Sequence, residues 1–511
     1  MKKILLNLSA GIAIAILPGV TMAQRYLSEV FSSVTVTANV QYGENISIFP
    51  PPTPANIPLM MDLYEPTGDL LTERPLIIFM HTGSYLPRYI NGTPTGSRND
   101  SATVEICNRF ARRGYVVANM DYRLGWNPAG SNVDIRRGTI LNAIYRSIQD
   151  AKACVRFFRK DAATTDLYKI DSTNIILGGQ GTGGYIALNY VSLNDPAEIT
   201  LPKFISGITD PNYGFVAGQP YVNQAVLGDY DGYGGIPQLN NPNNSPGYTN
   251  DVQFAFNLGG ALGDSSWLEA GDPPTVAMHV IGDPFAPYNS GIVYVPGNPP
   301  QTVVDVVGSR KVVEIANQLG NNDCFINAGF TDVFTLAANV NNEGFDGLYG
   351  FATIPAVQSG PWEWYDSLTV VAGAAAVGQN GTTIYTNASY TNPDMSKAKG
   401  MAYIDTVMGY LNPRIVYCLN LTTGISPIEN AAELITVTPN PVSDFINIDL
   451  TAIKNKLEGI ALFDISGRKV QDVNVNGARK YSVSRGSLSA GTYFVKVYLE
   501  NGEANKKIII R

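Results

Sequence analysis

The stretch that most constrains the fold is residues 174–189, NIILGGQGTGGYIALN. Ile175, Ile176 and Leu177 predict a short buried strand, a turn dense in glycine follows, and GYIALNYV predicts the start of a helix. A sharp strand-to-helix turn forces its central residue into backbone angles that a side chain tolerates only with strain. Gly181 stands at the centre of this turn, which can therefore form without strain but offers no side chain there.

The sequence around this turn predicts a parallel sheet. RPLIIFMH and YVVANMDYRLG are continuous apolar runs, and an amphipathic helix is predicted between them over residues 102–113. Apolar strands that alternate with helices are typical of a parallel sheet covered on both faces. A dinucleotide or phosphate loop would also use a glycine-rich turn, but no Lys-Ser/Thr pair or ribose-binding acidic residue is evident at the expected distance.

Composition limits the class of protein. The chain has 511 residues, 45% of them hydrophobic, which is enough for one large core and a smaller second one. Only 15% of the residues are charged and the net charge is -8, so a nucleic acid is not expected as partner. The many uncharged polar residues suit an extracellular protein. No motif calls for a cofactor, and none is predicted.

Residues 1–23 are predicted to be a signal peptide. Lys2 and Lys3 precede an apolar run over residues 4–17, and Thr21-Met22-Ala23 provides a cleavage tripeptide. No later stretch is long and apolar enough to predict a transmembrane segment in the mature protein. Export as a soluble protein is therefore expected.

Two changes of character divide the rest of the chain. Residues 192–250 are rich in Gly, Pro, Asn and Tyr and predict an irregular, lid-like insertion. Asp229 and Asp231 within it are weak calcium candidates, because the loop lacks the full ligand spacing of an EF-hand. Residues 425–511 contain short strands separated by turn residues, which predict a small β-sandwich. We therefore expect an α/β domain over residues 24–424 and a separate sandwich domain after it.

Four motifs of the first domain occur in the order found in one superfamily. HTGSY from His81 resembles the oxyanion-hole motif HGG, MDYRLG the strand that follows it, and GGQGTGG the nucleophile elbow GGxSxGG. HVIGDPFAPY resembles the segment that carries the triad acid, which maps onto Asp283. This domain thus resembles the α/β-hydrolase superfamily, in particular its secreted carboxylesterase-like members. The resemblance implies an α/β-hydrolase fold, a mostly parallel sheet flanked by helices.

The catalytic triad that this resemblance implies is incomplete. Acyl transfer needs a nucleophile, a histidine that takes its proton and a carboxylate that orients the histidine, and the chain order should be Ser, Asp, His. Gly181 stands where the nucleophile should be. The two histidines are His81, in the oxyanion-hole motif, and His279, just before Asp283, and none follows Asp283. The sequence therefore predicts a catalytically inactive hydrolase domain, and rescue by another hydroxyl or a metal-bound water is not favoured.

A pocket is expected to survive at the same place. Backbone donors near Gly83, Ser84 and Thr182, beside Asp283, could hold a small polar or carboxylate ligand. A vestigial pocket, filled by aromatic side chains such as Trp362 and Trp364, is favoured over this ligand site. The function expected is binding, adhesion or membership of an extracellular assembly, with the chain itself or surface glycans as partners. The alternative function is a secreted carboxylesterase-type hydrolase with unorthodox catalytic residues.

The sandwich domain resembles the C-terminal sorting domain of Bacteroidetes type IX secretion cargo. PNPVSDFINI, LFDISGRKV, LSAGTYFVKV and KKIIIR match that pattern in order. The resemblance implies the type IX secretion machinery as a partner and a location at the outer cell surface or outside the cell.

Two further sets of residues concern maturation. The four cysteines, Cys107, Cys154, Cys324 and Cys418, suggest either disulfides, in three possible pairings, or small buried hydrophobic side chains. The Bacteroidetes O-glycan acceptor pattern is Asp, then Ser or Thr, then an apolar residue or Thr. It gives four candidates: Ser101, Ser172, Ser367 and Thr406.

Overall fold

The computed structural model describes residues 25–49, 54–297, 299–421, 434–453, 456–465, 467–499 and 502–511. The predicted signal peptide and the predicted boundary at residue 425 lie outside these ranges. Among the described helices, none combines the length and the apolar character that crossing a membrane requires.

An eight-stranded sheet forms the centre of the first domain, and its order is β1-β2-β4-β3-β5-β6-β8-β11. Strand β2 is antiparallel to both β1 and β4, and the remaining neighbours are parallel. The strands are β1 (Val34–Ser47), β2 (Ala55–Pro66), β3 (Arg74–Met80), β4 (Val116–Met120), β5 (Ile170–Gln180), β6 (Phe254–Leu258), β8 (Thr275–Val280) and β11 (Leu348–Phe351).

Helices cover both faces of this sheet. Helices α2 (Val133–Ala163) and α3 (Thr182–Ser192) share one hydrophobic core with alternate side chains of β3, such as Ile78. Helices α1 (Ser101–Arg112) and α10 (Lys397–Cys418) share the core of the other face with Ile77 and Phe79. All residues of β3, β4, β6, β8 and β11 are buried, because side chains of a covered parallel strand alternate between two cores. The α/β-hydrolase fold is therefore confirmed.

The segment predicted as a lid-like insertion lies against α2. It contains α4 (Gln224–Leu227) and two short 3₁₀ turns, Pro196–Thr200 and Pro202–Phe204. The Gln149 amide donates to the carbonyl oxygens of Leu227 and Asp229, both at 2.8 Å. The Arg156 guanidinium donates to the backbone carbonyls of Asp231 and Asn244. Buried polar groups of α2 thus fix the irregular backbone.

The chain between β8 and α10 adds smaller elements. A hairpin of β9 (Ser290–Val295) and β10 (Gln301–Gly308) pairs with β7 (Ala261–Leu262). The helices are α5 (Ser309–Gln318), α6 (Asp323–Ala328), α7 (Val333–Ala338), α8 (Ser367–Ala376) and α9 (Gly381–Thr391). A disulfide joins Cys324 of α6 to Cys418 of α10, whereas Cys107 and Cys154 are free and buried. One pair of cysteines thus forms a disulfide, and the other two are small buried side chains, so each of the two expectations holds for one pair.

The C-terminal region is the expected β-sandwich. One sheet has the order β12-β13-β16, and the other has the order β15-β14-β17-β18. They enclose a core that contains Ile446, Ile460 and Val495. The strands are β12 (Thr436–Thr438), β13 (Phe445–Asp449), β14 (Leu457–Asp464), β15 (Lys469–Val473), β16 (Lys480–Ser484), β17 (Gly491–Leu499) and β18 (Gly502–Ile510).

Candidate functional site

The turn between β5 and α3 keeps the conformation of a nucleophile elbow. Gly181 has φ 53° and ψ -117°, which is a region that residues with a side chain rarely adopt. A Cβ atom built on Gly181 would lie 2.1 Å from Thr82 Oγ1 and 2.8 Å from Thr82 Cβ. The space that a nucleophile's side chain would need is therefore filled by Thr82, from the loop after β3. Sequence reasoning missed this role, although Thr82 departs from the HGG motif just as Gly181 departs from the elbow motif.

Asp283 lies where the superfamily's triad acid is expected, and its carboxylate is fully engaged. The backbone N–H groups of Phe285 and Ala286 donate to Oδ1 at 2.8 and 3.1 Å. The Ser359 hydroxyl donates to Oδ2 at 2.7 Å. Burial raises the pKa of Asp283, against the opposing effect of nearby His279. Ser359 belongs to the loop after β11, and its hydroxyl makes the contact with Asp283 that a catalytic imidazole would make.

Both histidines use both ring nitrogens in buried contacts. His81 Nδ1 lies 2.5 Å from the Thr82 carbonyl oxygen, and Nε2 lies 3.3 Å from Asp121 Oδ1. Burial opposes a charge on His81, yet hydrogen bonding to Asp121 raises its pKa. His279 contacts Ser309 Oγ at 2.7 Å through Nδ1 and the carbonyl of Ala286 at 3.2 Å through Nε2. Burial lowers the pKa of His279. Neither imidazole is free to take a proton at residue 181.

The loop that carries the predicted oxyanion-hole residues Gly83 and Ser84 lies beside the elbow, because the hydroxyl of the next residue, Tyr85, donates to the Thr182 carbonyl at 3.2 Å. Ser84 has φ 56° and the neighbouring Gly83 has φ 140°, so this loop runs through backbone angles that are unusual for side-chain-bearing residues. The Tyr122 hydroxyl donates to the His81 carbonyl at 2.8 Å and lies 2.9 Å from Thr182 Oγ1. Since the proton of Tyr122 is used, the Thr182 hydroxyl donates to Tyr122. The side chain of Thr182 is thus directed to Tyr122 and not to a ligand.

Of the two tryptophans expected to fill the pocket, one lies at the elbow. Trp362 is 3% exposed and its indole N–H donates to Gln180 Oε1 at 2.7 Å. The Gln180 amide in turn donates to Thr103 Oγ1 at 2.9 Å. Trp364 instead packs against Gly400 of α10. The elbow is therefore backed by a buried polar network, which sequence reasoning did not find because its members are far apart in the chain.

The calcium candidates have other partners. Asp229 Oδ1 accepts hydrogen bonds from the backbone N–H groups of Asp231 and Tyr233. Asp231 Oδ1 accepts from Lys152 Nζ at 2.7 Å and from the Asn250 amide at 3.2 Å. Among the described residues, no three His, Cys, Asp or Glu side chains converge on a point that could hold a metal ion.

The glycosylation candidates differ in exposure. Ser367, at the start of α8, is exposed, and Ser101 and Ser172 are half-buried. Thr406 is 2% exposed inside α10, where its hydroxyl donates to the Ala402 carbonyl. Ser367 is the most accessible of the four.

Comparison with known proteins gives one family match within each region. Residues 61–205 match the BD-FAE family, and residues 436–511 match the family described as secretion system C-terminal sorting domain. No curated protein sequence matches significantly. The apo form of Thermogutta terrifontis esterase 2 is 17% identical, with 49% of this chain and 74% of that chain covered and a TM-score of 0.29. The same esterase phosphorylated by paraoxon is 18% identical, with 50% and 74% covered and a TM-score of 0.29.

The assignment rests on the two family matches and on the order of the strands in the sheet. The chain contains an esterase-like α/β-hydrolase domain followed by a type IX sorting domain. The sorting domain directs it through the type IX secretion machinery to the cell surface or the extracellular space.

Proposed function

We propose that this exported esterase-like domain is catalytically inactive and serves in binding, adhesion or an extracellular assembly. The observation that supports this most is the filling of the elbow: Thr82 takes the space of a side chain at Gly181. The contact between Ser359 and Asp283 is a second and independent support, because it occupies the carboxylate that would orient a catalytic histidine.

The test is stepwise restoration of the missing groups. Gly181→Ser alone should give no esterase activity, since Thr82 obstructs the new side chain and no histidine is present. Gly181→Ser with Thr82→Gly and Ser359→His supplies a nucleophile, room for it, and an imidazole beside Asp283. Turnover of a short nitrophenyl ester by the triple variant, but not by the natural chain, would support the proposal. Turnover by the natural chain that exceeds a mock preparation would contradict it.

A role in binding is supported by the surface next to the site. Residues 367–393, which contain α8 and α9, have no charged side chain, and Leu368 and Tyr390 are 78% and 72% exposed. Exposed apolar and aromatic side chains are typical of contact surfaces. Sedimentation of the purified protein tests self-association, and pull-down on whole cells or glycan arrays tests adhesion. Monomeric protein that binds neither cells nor glycans would argue against this role.

A second candidate function, hydrolysis by unorthodox residues, is favoured by one observation. Thr82 brings a hydroxyl group to the place where the superfamily presents its nucleophile. Thr82→Val removes this hydroxyl with little change of shape. Ester turnover by the natural chain that is lost in Thr82→Val and retained in Thr182→Val would favour this candidate over a non-catalytic role.

A further inference from the structure

A charged cluster at the base of the loop that carries Thr82 has no part in the functions above. Its members are Asp62 of β2, Arg98 before α1, Asp121 after β4 and His81 after β3. The Arg98 guanidinium donates to Asp62 Oδ2 at 3.1 Å through Nε, and to Asp121 Oδ2 through Nη1. His81 Nε2 lies 3.3 Å from the other carboxylate oxygen of Asp121, Oδ1. The cluster therefore ties the loop after β3 to β2 and to the loop after β4.

Both ring nitrogens of His81 face oxygen atoms that only accept hydrogen bonds. Nδ1 lies 2.5 Å from the Thr82 carbonyl oxygen, and Nε2 faces the Asp121 carboxylate. A neutral imidazole has one N–H group, so one of its nitrogens would turn a lone pair towards an oxygen, whereas an imidazolium donates from both. His279 differs, because its Nδ1 faces the Ser309 hydroxyl, which can donate. The contacts of His81 thus require two ring protons, and those of His279 require one.

The count of charges in the cluster leads to the same result. Arg98 supplies one positive charge, and it is shared by the two carboxylates of Asp62 and Asp121. His81 supplies the second positive charge only when it is an imidazolium. The side chains of Asp62 and His81 are 8% and 4% exposed, and charges that are removed from water are costly unless they are paired. An imidazolium at His81 gives the cluster no net charge.

The other groups that face His81 also favour its charge. Tyr122 stacks on the imidazole ring, with ring centroids 4.7 Å apart, and a cation is attracted to the face of a tyrosine ring. Asp100 adds a negative charge in the same region and has Arg88 as its own partner, at 3.6 Å. Burial opposes a charge on His81, but the hydrogen bond to Asp121 and the charges of Asp121 and Asp100 raise its pKa.

These contacts hold the residue that fills the elbow. The Tyr122 hydroxyl donates to the His81 carbonyl at 2.8 Å, and His81 Nδ1 donates to the Thr82 carbonyl, so both peptide groups of Thr82 are engaged. We propose that His81 is an imidazolium at neutral pH and that its charge holds Thr82 over Gly181, a contact that loosens when the proton is lost at alkaline pH. The proton then passes to bulk water, and Asp121 loses its second cation. This device does not depend on whether the domain is inactive.

The imidazolium makes stability depend on pH in a defined direction. The unfolded chain releases the proton of His81 at the ordinary pKa of 6.5, and the folded chain retains it to higher pH. The stabilisation is therefore complete below pH 6.5 and is lost as the pH rises through the pKa of the folded chain. Between these two pKa values His81 raises the unfolding equilibrium constant by up to about tenfold per pH unit.

The direct test is nuclear magnetic resonance of the purified protein with isotope-labelled histidine, because the chain has only two histidines. At neutral pH His81 should show two protonated ring nitrogens, and His279 should show one. Asp121→Asn removes the carboxylate that retains the proton, so His81 should titrate at lower pH. Glu343→Gln is the control, since Glu343 is an exposed carboxylate paired with Arg310, and it should leave the titration unchanged. A natural chain in which neither histidine holds two ring protons at neutral pH would overturn the proposal, whether or not the variants fold.

Hydrogen exchange gives a second readout, which follows the loop itself. Exchange in residues 79–90, corrected for its intrinsic pH dependence, should rise as His81 titrates, and Asp121→Asn should show the same rise at lower pH. Strand β17 of the sorting domain is the internal reference and should not change. The fall of melting temperature above pH 6.5 should also be smaller in Asp121→Asn than in the natural chain. Exchange in residues 79–90 that stays constant while His81 loses its proton would contradict the hold on Thr82.

Discussion

At the scale of single residues, Gly181 and Thr82 depend on each other. The elbow holds residue 181 at positive φ, and the threonine side chain lies over the place where a Cβ would be. Either residue alone departs from the pattern of the superfamily, but together they form a packed contact. Loss of the nucleophile and occupation of its space are thus one structural feature.

We predict that Gly181→Ser destabilises the protein by about 2–4 kcal/mol, through strained backbone angles and the clash with Thr82. Adding Thr82→Gly should recover about 1 kcal/mol or more, because it removes the clash but not the strain. Urea unfolding of the two single variants and the double variant measures this coupling. Strictly additive free energies of unfolding would show that Thr82 does not obstruct residue 181.

The positions of Gly181 and Asp283 could be predicted from the sequence because each lies in a local motif just after the end of a strand. Ser359 and Thr82 could not be recognised in the same way. Ser359 is 76 residues from Asp283, in a loop with no histidine to mark it. The role of Thr82 depends on a contact with another loop, and a departure from a motif does not reveal which atoms fill the space.

At the scale of elements, α2 fixes the irregular insertion. Lys152 of α2 is 6% exposed at its side chain, donates to Asp231 and lies 4.5 Å from the ring centroid of Tyr230. The sequence showed the composition of the insertion but not its partner, since buried cations on a helix are recognisable only once the helix is packed. The polar loop that suggested calcium is held by a lysine instead.

We predict that Asp231→Ala costs about 1–3 kcal/mol, because it leaves the buried ammonium of Lys152 without a carboxylate. Lys152→Met combined with Asp231→Ala should be less destabilising than Asp231→Ala alone. Chemical unfolding of the three variants tests this, and limited proteolysis should show earlier cleavage within residues 228–250 of Asp231→Ala. A melting temperature of the natural chain that rises with calcium and falls with chelator would contradict the assignment.

The disulfide between α6 and α10 closes a loop of 94 residues that includes β11, α8 and α9. Replacing both Cys324 and Cys418 by alanine should cost about 2–5 kcal/mol by loosening the unfolded chain. Melting with and without reductant measures the effect. Cys107→Ala leaves the disulfide intact and serves as the control. Reductant should lower the melting temperature of the natural chain and of Cys107→Ala by the same amount. A natural chain that is indifferent to reductant would contradict a stabilising role.

The sheet and its main helices were predictable because apolar runs and helical periodicity are local signals. Helix α2 begins at Val133, and its residues 133–138 are held by capping and by contacts with the insertion. Strand β9 of the hairpin is short and most of its residues are exposed or half-buried, so its pattern gave no clear strand signal. Elements that depend on packing against a neighbouring insertion could not be predicted from local sequence patterns.

At the scale of the whole molecule, export exposes the folded domain to modification on its surface. All four acceptor triplets fit the same sequence pattern, but they differ in how exposed they are in the structure. Thr406 is buried within α10. Ser101 is half-buried, and the aspartate that precedes it, Asp100, is fully buried and hydrogen-bonded.

Ser367 is the acceptor that the fold presents best, because Ser367 and the preceding Asp366 are both exposed where α8 begins. We predict that protein secreted by its native host carries any O-glycan mass on the peptide containing Ser367, and none on the peptide containing Thr406. Ser367→Ala should lower the intact mass by one glycan, while the matched change Thr406→Ala should leave the glycan in place. Ser172, which is half-exposed at the start of β5, is the next candidate. Glycan on Thr406 would mean that modification precedes folding of α10, and an intact mass equal to the bare polypeptide would exclude modification of all four residues.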